Sequence, residues 1–234
     1  MKETIHNEEE LFDMLDTYIR EPEEFWTDFY RDRDKQIPFF KNIPDELLVS
    51  IHKDGIITKG KALELGCGPG RNAIYLAENG WEVDAVDISM TSLQWGEERA
   101  LEKGVSVNFI HDNIFKMHVE EGAYDLVFDS GCFHHIAPHR RLSYTRLVDR
   151  ALKKGGHLAL TAFMKGGSFG GADMSDWDVY RTGSLRGGMG YDKKQLMEIF
   201  SRFEAVDIRL MEDLDESQGM FALSGLIKAF FRKE

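Results

Sequence analysis

The chain has 234 residues, of which 42% are hydrophobic, and its formal net charge at pH 7 is −12. The length predicts one domain with a sizeable core, and the acidic balance argues against nucleic acid as a substrate, which would require a basic surface. With no apolar stretch near the ~18 residues of a membrane helix, no signal-peptide pattern and only two cysteines, the chain is expected to be cytoplasmic and to avoid membranes.

Residues 1–58 are expected to form an N-terminal helical cap. Apolar side chains recur there at the spacing of one helix face. They are Leu11, Phe12, Leu15, Tyr18 and Ile19. Asn7 and Glu10 resemble a capping box at the start of this helix, and Pro22 is expected to end it.

An aromatic run at 25–30 follows in the same cap. Its rings recur at positions i, i+1, i+4 and i+5, and Trp26 and Tyr30 fall on one face of a helix. The run predicts either a helix packed on the core or an aromatic lid over a ligand site, and the two interpretations are compatible. Trp26 and Tyr30 are therefore candidate substrate contacts.

The most informative stretch of the chain is the run 62–72. It predicts a buried strand, a glycine turn and the start of a helix. Gly66, Gly68 and Gly70 allow a sharp turn and leave no Cβ between backbone and ligand, and the amide end of the helix points to the same place. The next strand ends on Asp87, 21 residues after Gly66. In nucleotide-binding units a carboxylate meets a ribose hydroxyl at an offset of ~20 residues.

The spacing of the glycines distinguishes between nucleotide ligands. Dinucleotide sites use G-x-G-x-x-G over a pyrophosphate, whereas the third glycine here comes one residue earlier. Glu64 at the strand end would repel a pyrophosphate but suit an ammonium group. A ligand with ribose, adenine and a charged amino acid but no phosphate fits better, and S-adenosylmethionine (SAM) is such a ligand. A glycine turn in another α/β protein, such as an NAD-type dehydrogenase, is the alternative.

The segment E-L-G-C-G-P-G-R-N at 64–72 resembles the first motif of the class I SAM-dependent methyltransferases. The resemblance extends over residues 60–165 and implies SAM as the cofactor. It also implies cofactor contacts along the motif and at the end of the second strand. These candidates are Glu64, Gly66, Cys67, Gly68, Gly70, Arg71, Asn72, Asp87 and Ile88.

The third and fourth strands add candidates at the same edge of the sheet, where open α/β sheets bind ligands. In the family an aspartate after the third strand contacts the adenine amino group, which implies Asp112, with Asn113 and Ile114 beside the ring. The alternative for Asp112 is a turn cap, because Asp-Asn sequences favour turns. Asp129 and Ser130 end the fourth strand and are expected to flank the cofactor.

Phe133, His134 and His135 follow the fourth strand and are candidates for the acceptor side of the site. Phe133 would contact the substrate, and the two histidines would act as general base or orient the acceptor. The alternative is structural, with the imidazoles capping or packing under the next helix.

A nominal metal cluster occurs in the same region of the sequence. It consists of Cys132, His134, His135 and His139. Because Pro138 interrupts the helix that would align these ligands, we expect no metal.

Residues 165–191 form a connection with eight glycines between the fifth strand and the last helix. Long connections in a compact domain are usually functional or disordered, and the aromatic and arginine residues here argue against disorder. In the family this position often shapes the acceptor pocket, so Trp177 and Arg186 are candidate substrate contacts. Pairing of Arg186 with nearby aspartates is the alternative.

Strand and helix patterns alternate from residue 60 onward, which predicts an α/β fold with a doubly wound, seven-stranded, mostly parallel sheet. Strands are expected near 61–66, 82–87, 105–110, 123–129, 157–163, 203–211 and 221–231. Helices are expected near 71–79, 90–103, 138–153 and 192–201. No helix pattern separates the last two strands, so they should form an antiparallel hairpin, as in the Rossmann-like methyltransferase fold. Residues 59–234 would then be the SAM-binding domain, with 165–191 as an acceptor-side insertion.

Within the family, the chain resembles the small-molecule branch, in particular the thiopurine and tellurite-resistance methyltransferases. The resemblance lies in the aromatic N-terminal helix, the motif G-C-G-x-G-R-N and the segment D-S-G-C-F-H-H at 129–135. It implies methyl transfer from SAM to a small-molecule acceptor by in-line displacement. We expect the protein to be a monomer or homodimer. A non-catalytic SAM-binding module and an NAD-type dehydrogenase are the alternatives.

Overall fold

The computed structural model describes residues 4–234. Seven strands within that range form one sheet with the order β3-β2-β1-β4-β5-β7-β6. The strands are β1 (Lys61–Leu65), β2 (Glu82–Asp87), β3 (Asn108–His111), β4 (Tyr124–Ser130), β5 (Leu152–Phe163), β6 (Glu204–Leu210) and β7 (Leu226–Arg232). The first five run parallel, and β7 is antiparallel to both β5 and β6. The predicted doubly wound sheet with an antiparallel C-terminal hairpin is therefore confirmed.

Helices cover both faces of this sheet. They are α1 (Glu8–Asp16), α2 (Pro22–Arg31), α3 (Glu46–Lys53), α4 (Arg71–Glu78), α5 (Met90–Lys103), α6 (Arg140–Ala151), α7 (Asp176–Thr182) and α8 (Lys193–Ile199). On one face α3, α4 and α5 bury Leu48, Leu76 and Leu93, and on the other α6 and α8 bury Tyr144 and Leu196. Full burial of each such side chain contributes ~1.5–3 kcal/mol to stability. In the part of the chain that the structure describes, no helix is long and apolar enough to cross a membrane.

The N-terminal cap differs from the prediction at Pro22. The first helix, α1, already ends at Asp16. Pro22 is the first residue of α2, a position whose N–H has no partner within the helix, so the missing N–H of proline costs no hydrogen bond there. Asn7 accepts a hydrogen bond from the Glu10 N–H at 2.9 Å, as a cap should. The Glu10 carboxylate, however, accepts from the His6 N–H, so the capping box is only half formed.

Two further differences lie in the second half of the chain. β5 was expected to begin near residue 157 but begins at Leu152, directly after α6, where Leu152 pairs with Tyr124 of β4. The register then shifts, and the next pair is His157 with Leu126. The polar and glycine residues between those two pairs conceal the start of the strand in the sequence. The insertion 165–191 contains α7, a short helix that gives too few turns for a periodic signal.

The sheet places the ends of β1, β2 and β4 side by side. Glu64 pairs with Ala85 of β2 on one side and with Phe128 of β4 on the other. The glycine turn after β1 therefore lies between Asp87 and Ser130, at the carboxyl edge where open α/β sheets bind ligands.

Candidate active site

The glycine turn after β1 has three residues in the left-handed backbone region. Gly66, Gly68 and Gly70 have φ angles of 63°, 53° and 73°, which other residues rarely adopt. The surroundings are also tight. A Cβ at Gly68 would lie 2.7 Å from the Tyr30 hydroxyl, and one at Gly66 would lie 2.5 Å from the Cβ of Cys132. The turn thus brings its bare backbone against α2 and against the segment after β4.

Asp87 joins the end of β2 to this turn. Its Oδ2 accepts a hydrogen bond from the Gly68 N–H at 2.8 Å, and its Oδ1 accepts one from the Ser89 N–H at 2.8 Å. Burial raises the pKa of Asp87, and the two backbone hydrogen bonds oppose that shift. Each carboxylate oxygen has a further lone pair, so Asp87 is able to accept donors from a ligand as well.

Glu64, near the end of β1, has one oxygen without a partner. Its Oε1 accepts a hydrogen bond from the Asn72 Nδ2 at 3.0 Å, whereas its Oε2 has none from the residues the structure describes. The side chain is 2% exposed. Burial raises the pKa of Glu64 to about 8, against the opposing effects of Asn72 and the Arg71 charge. Leaving a buried acceptor unpaired costs ~1–3 kcal/mol, so this carboxyl group favours a donor from outside.

Arg71, at the start of α4, lies at the centre of a buried polar network. Its Nη1 donates to the Ile43 carbonyl at 3.0 Å, and its Nη2 donates to the Ser130 hydroxyl at 2.8 Å. Ser130 donates in turn to Asp45 at 2.6 Å, and the Arg71 Nη2 lies 3.7 Å from the same carboxylate. Burial lowers the pKa of Arg71 and raises that of Asp45, and their mutual attraction opposes both shifts. The network connects α4, β4 and the start of α3 beside Glu64.

Asp129 and Phe133 lie inside the core rather than at the edge of the site. The Asp129 Oδ1 accepts hydrogen bonds from the Cys132 and Phe133 N–H groups, and its Oδ2 accepts one from the Tyr144 hydroxyl. Burial raises the pKa of Asp129 to about 6. The Phe133 ring lies 4.9 Å from that of Tyr144 and 5.0 Å from that of Tyr191. The turn after β4 uses Asp129 as its hydrogen-bond acceptor and Phe133 as its apolar anchor. The expected contacts of Asp129 with the cofactor and of Phe133 with the substrate stay predictions.

Asp112, Asn113 and Ile114 form a turn after β3. The Asp112 Oδ1 accepts a hydrogen bond from the Asn113 N–H at 2.7 Å, and the Asn113 Oδ1 accepts one from the Phe115 N–H at 2.9 Å. The Asp112 N–H donates to the Asp87 carbonyl at 3.3 Å. The geometry of a turn cap is therefore present, and it lies next to Asp87. The adenine contact of Asp112 stays a prediction.

His134 lies in a short 3₁₀ turn after β4, and its side chain is buried. Its Nδ1 accepts a hydrogen bond from the Phe163 N–H at 3.2 Å, and its ring stacks on that of Phe163 at 3.7 Å. The insertion packs directly on this pair, since a Cβ at Gly188 would lie 2.8 Å from the Phe163 ring. Burial lowers the pKa of His134 well below its usual range. A fixed, uncharged imidazole is suited to orienting a neighbour.

His135 is the more accessible of the two histidines. Its ring lies 4.3 Å from that of His134 and 4.8 Å from that of Trp26 on α2. Burial, assisted by the charge of Arg20, lowers the pKa of His135 to about 4, while a hydrogen bond to the Gly187 backbone opposes this. The imidazole is therefore uncharged at neutral pH. A neutral imidazole has one ring nitrogen that is able to accept a proton.

A layer of aromatic rings covers the glycine turn and His135. Neighbouring rings in this layer have centroids 5.1–6.2 Å apart. Its members are Phe25, Trp26, Phe29, Tyr30, Phe39, Phe40 and Trp95. The sequence-predicted Trp26 and Tyr30 thus both lie at the site. By contrast, Trp177 is 75% exposed and Arg186 is also exposed, so the structure turns both of these candidates towards solvent.

Comparison with known proteins shows which family this chain resembles. A family model described as a methyltransferase domain matches residues 62–156. An uncharacterized methyltransferase of Schizosaccharomyces pombe is 32% identical over 101 residues, which are 43% of this chain and 70% of that protein. The chain belongs to the class I SAM-dependent methyltransferases. The predicted family and its cofactor, SAM, are confirmed.

Other methyltransferases match with lower identity or coverage. The 2-heptyl-1-hydroxyquinolin-4(1H)-one methyltransferase of Mycobacteroides abscessus is 30% identical over 107 residues, which are 45% of this chain and 47% of that protein. The structure of Burkholderia thailandensis 1,6-didemethyltoxoflavin-N1-methyltransferase has a TM-score of 0.63 at 18% identity, covering 100% of this chain and 93% of that chain. It contains bound 1,6-didemethyltoxoflavin and S-adenosylhomocysteine, and its likeness to this methyltransferase is one of fold.

Sequence reasoning missed two groups of residues in this methyltransferase site. Asp45 caps α3 by accepting from the Leu47 N–H at 2.9 Å, which its position before an apolar helical run could have indicated. Its bond from Ser130, 85 residues away, has no local signal. Phe163 and Gly187, which hold the histidines, belong to segments whose approach depends on the tertiary fold. Among the side chains that the structure describes, no group of three His, Cys, Asp or Glu residues is placed to bind a metal ion.

Proposed function

We propose that this methyltransferase methylates a small-molecule acceptor held between α2, the turn 133–135 and the insertion 165–191. The observation that carries the proposal is the position of His135, which lies between Trp26 of α2 and Gly187 of the insertion. Two further facts support a small acceptor. The chain is acidic, and two of the similar methyltransferases are named for small heteroaromatic substrates.

In this proposal residues 1–58 act as a cap on the SAM-binding domain 59–234. α3 anchors the cap, because its apolar side chains are part of the core beneath the sheet. α2 covers the glycine turn through Tyr30, whose hydroxyl lies against Gly68. A cover of this kind excludes water from the reacting groups when it closes.

SAM fits the glycine turn on two observations. The left-handed glycines leave bare backbone at the site, and the Glu64 Oε2 is buried without a donor from the described residues. We assign the SAM ammonium group to Glu64, its carboxylate to Arg71 and its ribose hydroxyls to Asp87. The further proposed cofactor contacts are Gly66, Cys67, Gly68, Gly70, Asn72, Ile88, Asp112, Asn113, Ile114 and Ser130.

Bound SAM supplies a methyl group that its positively charged sulfonium makes electrophilic. The protein must then align donor and acceptor and exclude water, and such positioning supplies ~7–11 kcal/mol of a barrier. As the acceptor oxygen or sulfur bonds to the methyl carbon, the bond from that carbon to the sulfonium breaks and its electron pair stays on the donor sulfur. The free ring nitrogen of His135 accepts the proton that the acceptor hydroxyl or thiol loses. Gly187 and His134 keep the His135 ring in place. Because the pKa of His135 is about 4, it is a weak base, so acidic acceptors such as thiols, with a pKa of ~8.5, are favoured over alcohols.

A panel of thiols, phenols, amines and metalloid oxyanions, assayed for turnover with SAM, tests the proposal. His135→Ala should lower turnover of a thiol or hydroxyl acceptor by about 10²–10⁴-fold while leaving SAM affinity unchanged. His118→Ala, at an exposed position, is the matched control and should change neither. Loss of SAM binding together with turnover in His135→Ala would contradict the base role. Absence of turnover with every member of the panel would contradict a small-molecule acceptor of these classes.

A further inference from the structure

His139, at the start of α6, binds side chains from two distant segments. Its Nε2 lies 2.8 Å from the Asp16 carboxylate at the end of α1, and its Nδ1 lies 2.7 Å from the Tyr180 hydroxyl on α7. The ring is buried and packs 5.4 Å from that of Phe12. One imidazole thus contacts both the N-terminal cap and the insertion.

The Tyr180 hydroxyl meets His139 at two atoms. It accepts a hydrogen bond from the His139 backbone N–H at 3.0 Å and lies 2.7 Å from Nδ1 of the ring. Nε2, on the other side of the ring, faces the Asp16 carboxylate. The ring orientation that keeps Nδ1 beside Tyr180 also places Nε2 beside Asp16. The two contacts are therefore coupled through the ring.

The residues next to His139 hold the same two segments separately. Arg140 binds α1, through Glu9, Asp13 and Asp16. Arg141 binds the insertion, with its Nη1 2.8 Å from Asp176 and its Nε 3.0 Å from the Tyr191 hydroxyl. His139 directly precedes these two anchors in sequence and contacts both segments. It also lies four residues after His135, at the N-cap of α6.

We infer that His139 is a positioning residue that latches α1 to α7, so that the N-terminal cap (1–58) and the insertion (165–191), which flank the proposed acceptor site, open and close together. Opening of either segment breaks a hydrogen bond that orients the imidazole for the other. The consequence for catalysis rests on the proposed position of the acceptor between these segments. The latch itself is a property of the protein without ligand.

Hydrogen exchange of the full chain, measured peptide by peptide, tests the latch with Tyr180→Phe. This variant removes one hydroxyl from α7 and should accelerate exchange at least tenfold in residues 8–16 as well as in 176–182, since opening of one segment then frees the other. Arg181→Gln is the matched control, because Arg181 pairs with Asp178 within the same helix. It should leave 8–16 unchanged. Acceleration in Tyr180→Phe confined to 176–182 would overturn the latch.

A second measurement separates a positioning role from a purely structural one. With an acceptor that the enzyme methylates, Tyr180→Phe should raise the acceptor KM at least threefold while SAM affinity stays within twofold of the parent. An unchanged KM would overturn the positioning role even if exchange is coupled. The exchange experiment requires neither SAM nor acceptor, so a failure of the His135 assignment would leave its outcome intact.

Discussion

Glu64→Gln replaces a buried carboxyl group by a neutral amide of nearly the same shape. Burial raises the pKa of Glu64 from 4.5 to about 8, so the folded protein holds this proton more tightly than the unfolded chain. The resulting contribution to the free energy of unfolding is complete below pH 4.5 and falls as pH rises to about 8, by ~1.4 kcal/mol per pH unit. The variant lacks this titration. Between pH 5 and pH 7 it should therefore gain about 3 kcal/mol relative to the parent.

Urea unfolding of both proteins at pH 5 and pH 7 measures this gain. Other titrating groups, such as Asp129 with its pKa raised to about 6 by burial, are present in both proteins and largely cancel in the comparison. Glu78→Gln, at an exposed position on α4, is the matched control and should differ from the parent by the same small amount at both pH values. If Glu64→Gln also shows equal differences at the two pH values, the buried carboxyl group does not hold the proton assigned to it.

The same variant tests the cofactor role of Glu64. Only the ionised carboxylate attracts an ammonium group, so the SAM affinity of the parent should rise between pH 6 and pH 7, where the ligand's amino group is still charged. Glu64→Gln should bind SAM at least tenfold more weakly, since a hydrogen bond to a charged group contributes ~1.5–3 kcal/mol. It should also lose this part of the pH dependence. Calorimetric titration with SAM measures both effects, and unchanged binding by the variant would exclude the ammonium contact.

Three further outcomes are expected. Asp87→Ala should weaken SAM binding at least tenfold by calorimetry and lower the Tm, because the Gly68 and Ser89 N–H groups lose their acceptor. Asp112→Asn should weaken SAM binding less than Asp112→Ala, because asparagine keeps one acceptor oxygen; parent-like binding by both would leave Asp112 as a turn cap alone. Methyl transfer should survive prolonged treatment with a chelator, whereas stoichiometric zinc that is needed for activity would disprove the expected absence of a metal.

The parts of the fold that carry local signals could be predicted from the sequence. The helix expected near 90–103 spans Met90–Lys103, because Ser89 caps its start and the left-handed Gly104 ends it. The glycine turn was equally visible, since only glycine suits its three positive φ angles. Such features depend on a few consecutive residues, which a single sequence displays in full.

The orientation of side chains at the site could not be predicted in the same way. Asp129 and Ser130 are adjacent at the end of β4, and the strand alternates its side chains between the two faces. Asp129 turns into the core to meet Tyr144, whereas Ser130 turns to Arg71 and Asp45. The motif contains both residues, but the partners that determine their roles lie 15, 59 and 85 residues away. Sequence spacing within the motif gives no information on such partners.

The carboxyl groups around the glycine turn connect the stability of this methyltransferase with its ligand. Asp45, Glu64 and Asp87 are buried there, and burial raises the pKa of each. Arg71 is a buried cation among them, and its own pKa is lowered. Burial of these charges lowers stability, as is common at functional sites.

SAM carries a net positive charge, so its binding should offset part of this cost in stability. The rise in Tm with SAM should therefore be larger at pH 7 than at pH 6, because the ionised fraction of Glu64 grows with pH while the ligand's amino group stays charged. A rise independent of pH would show that the buried carboxyl groups do not face the ligand.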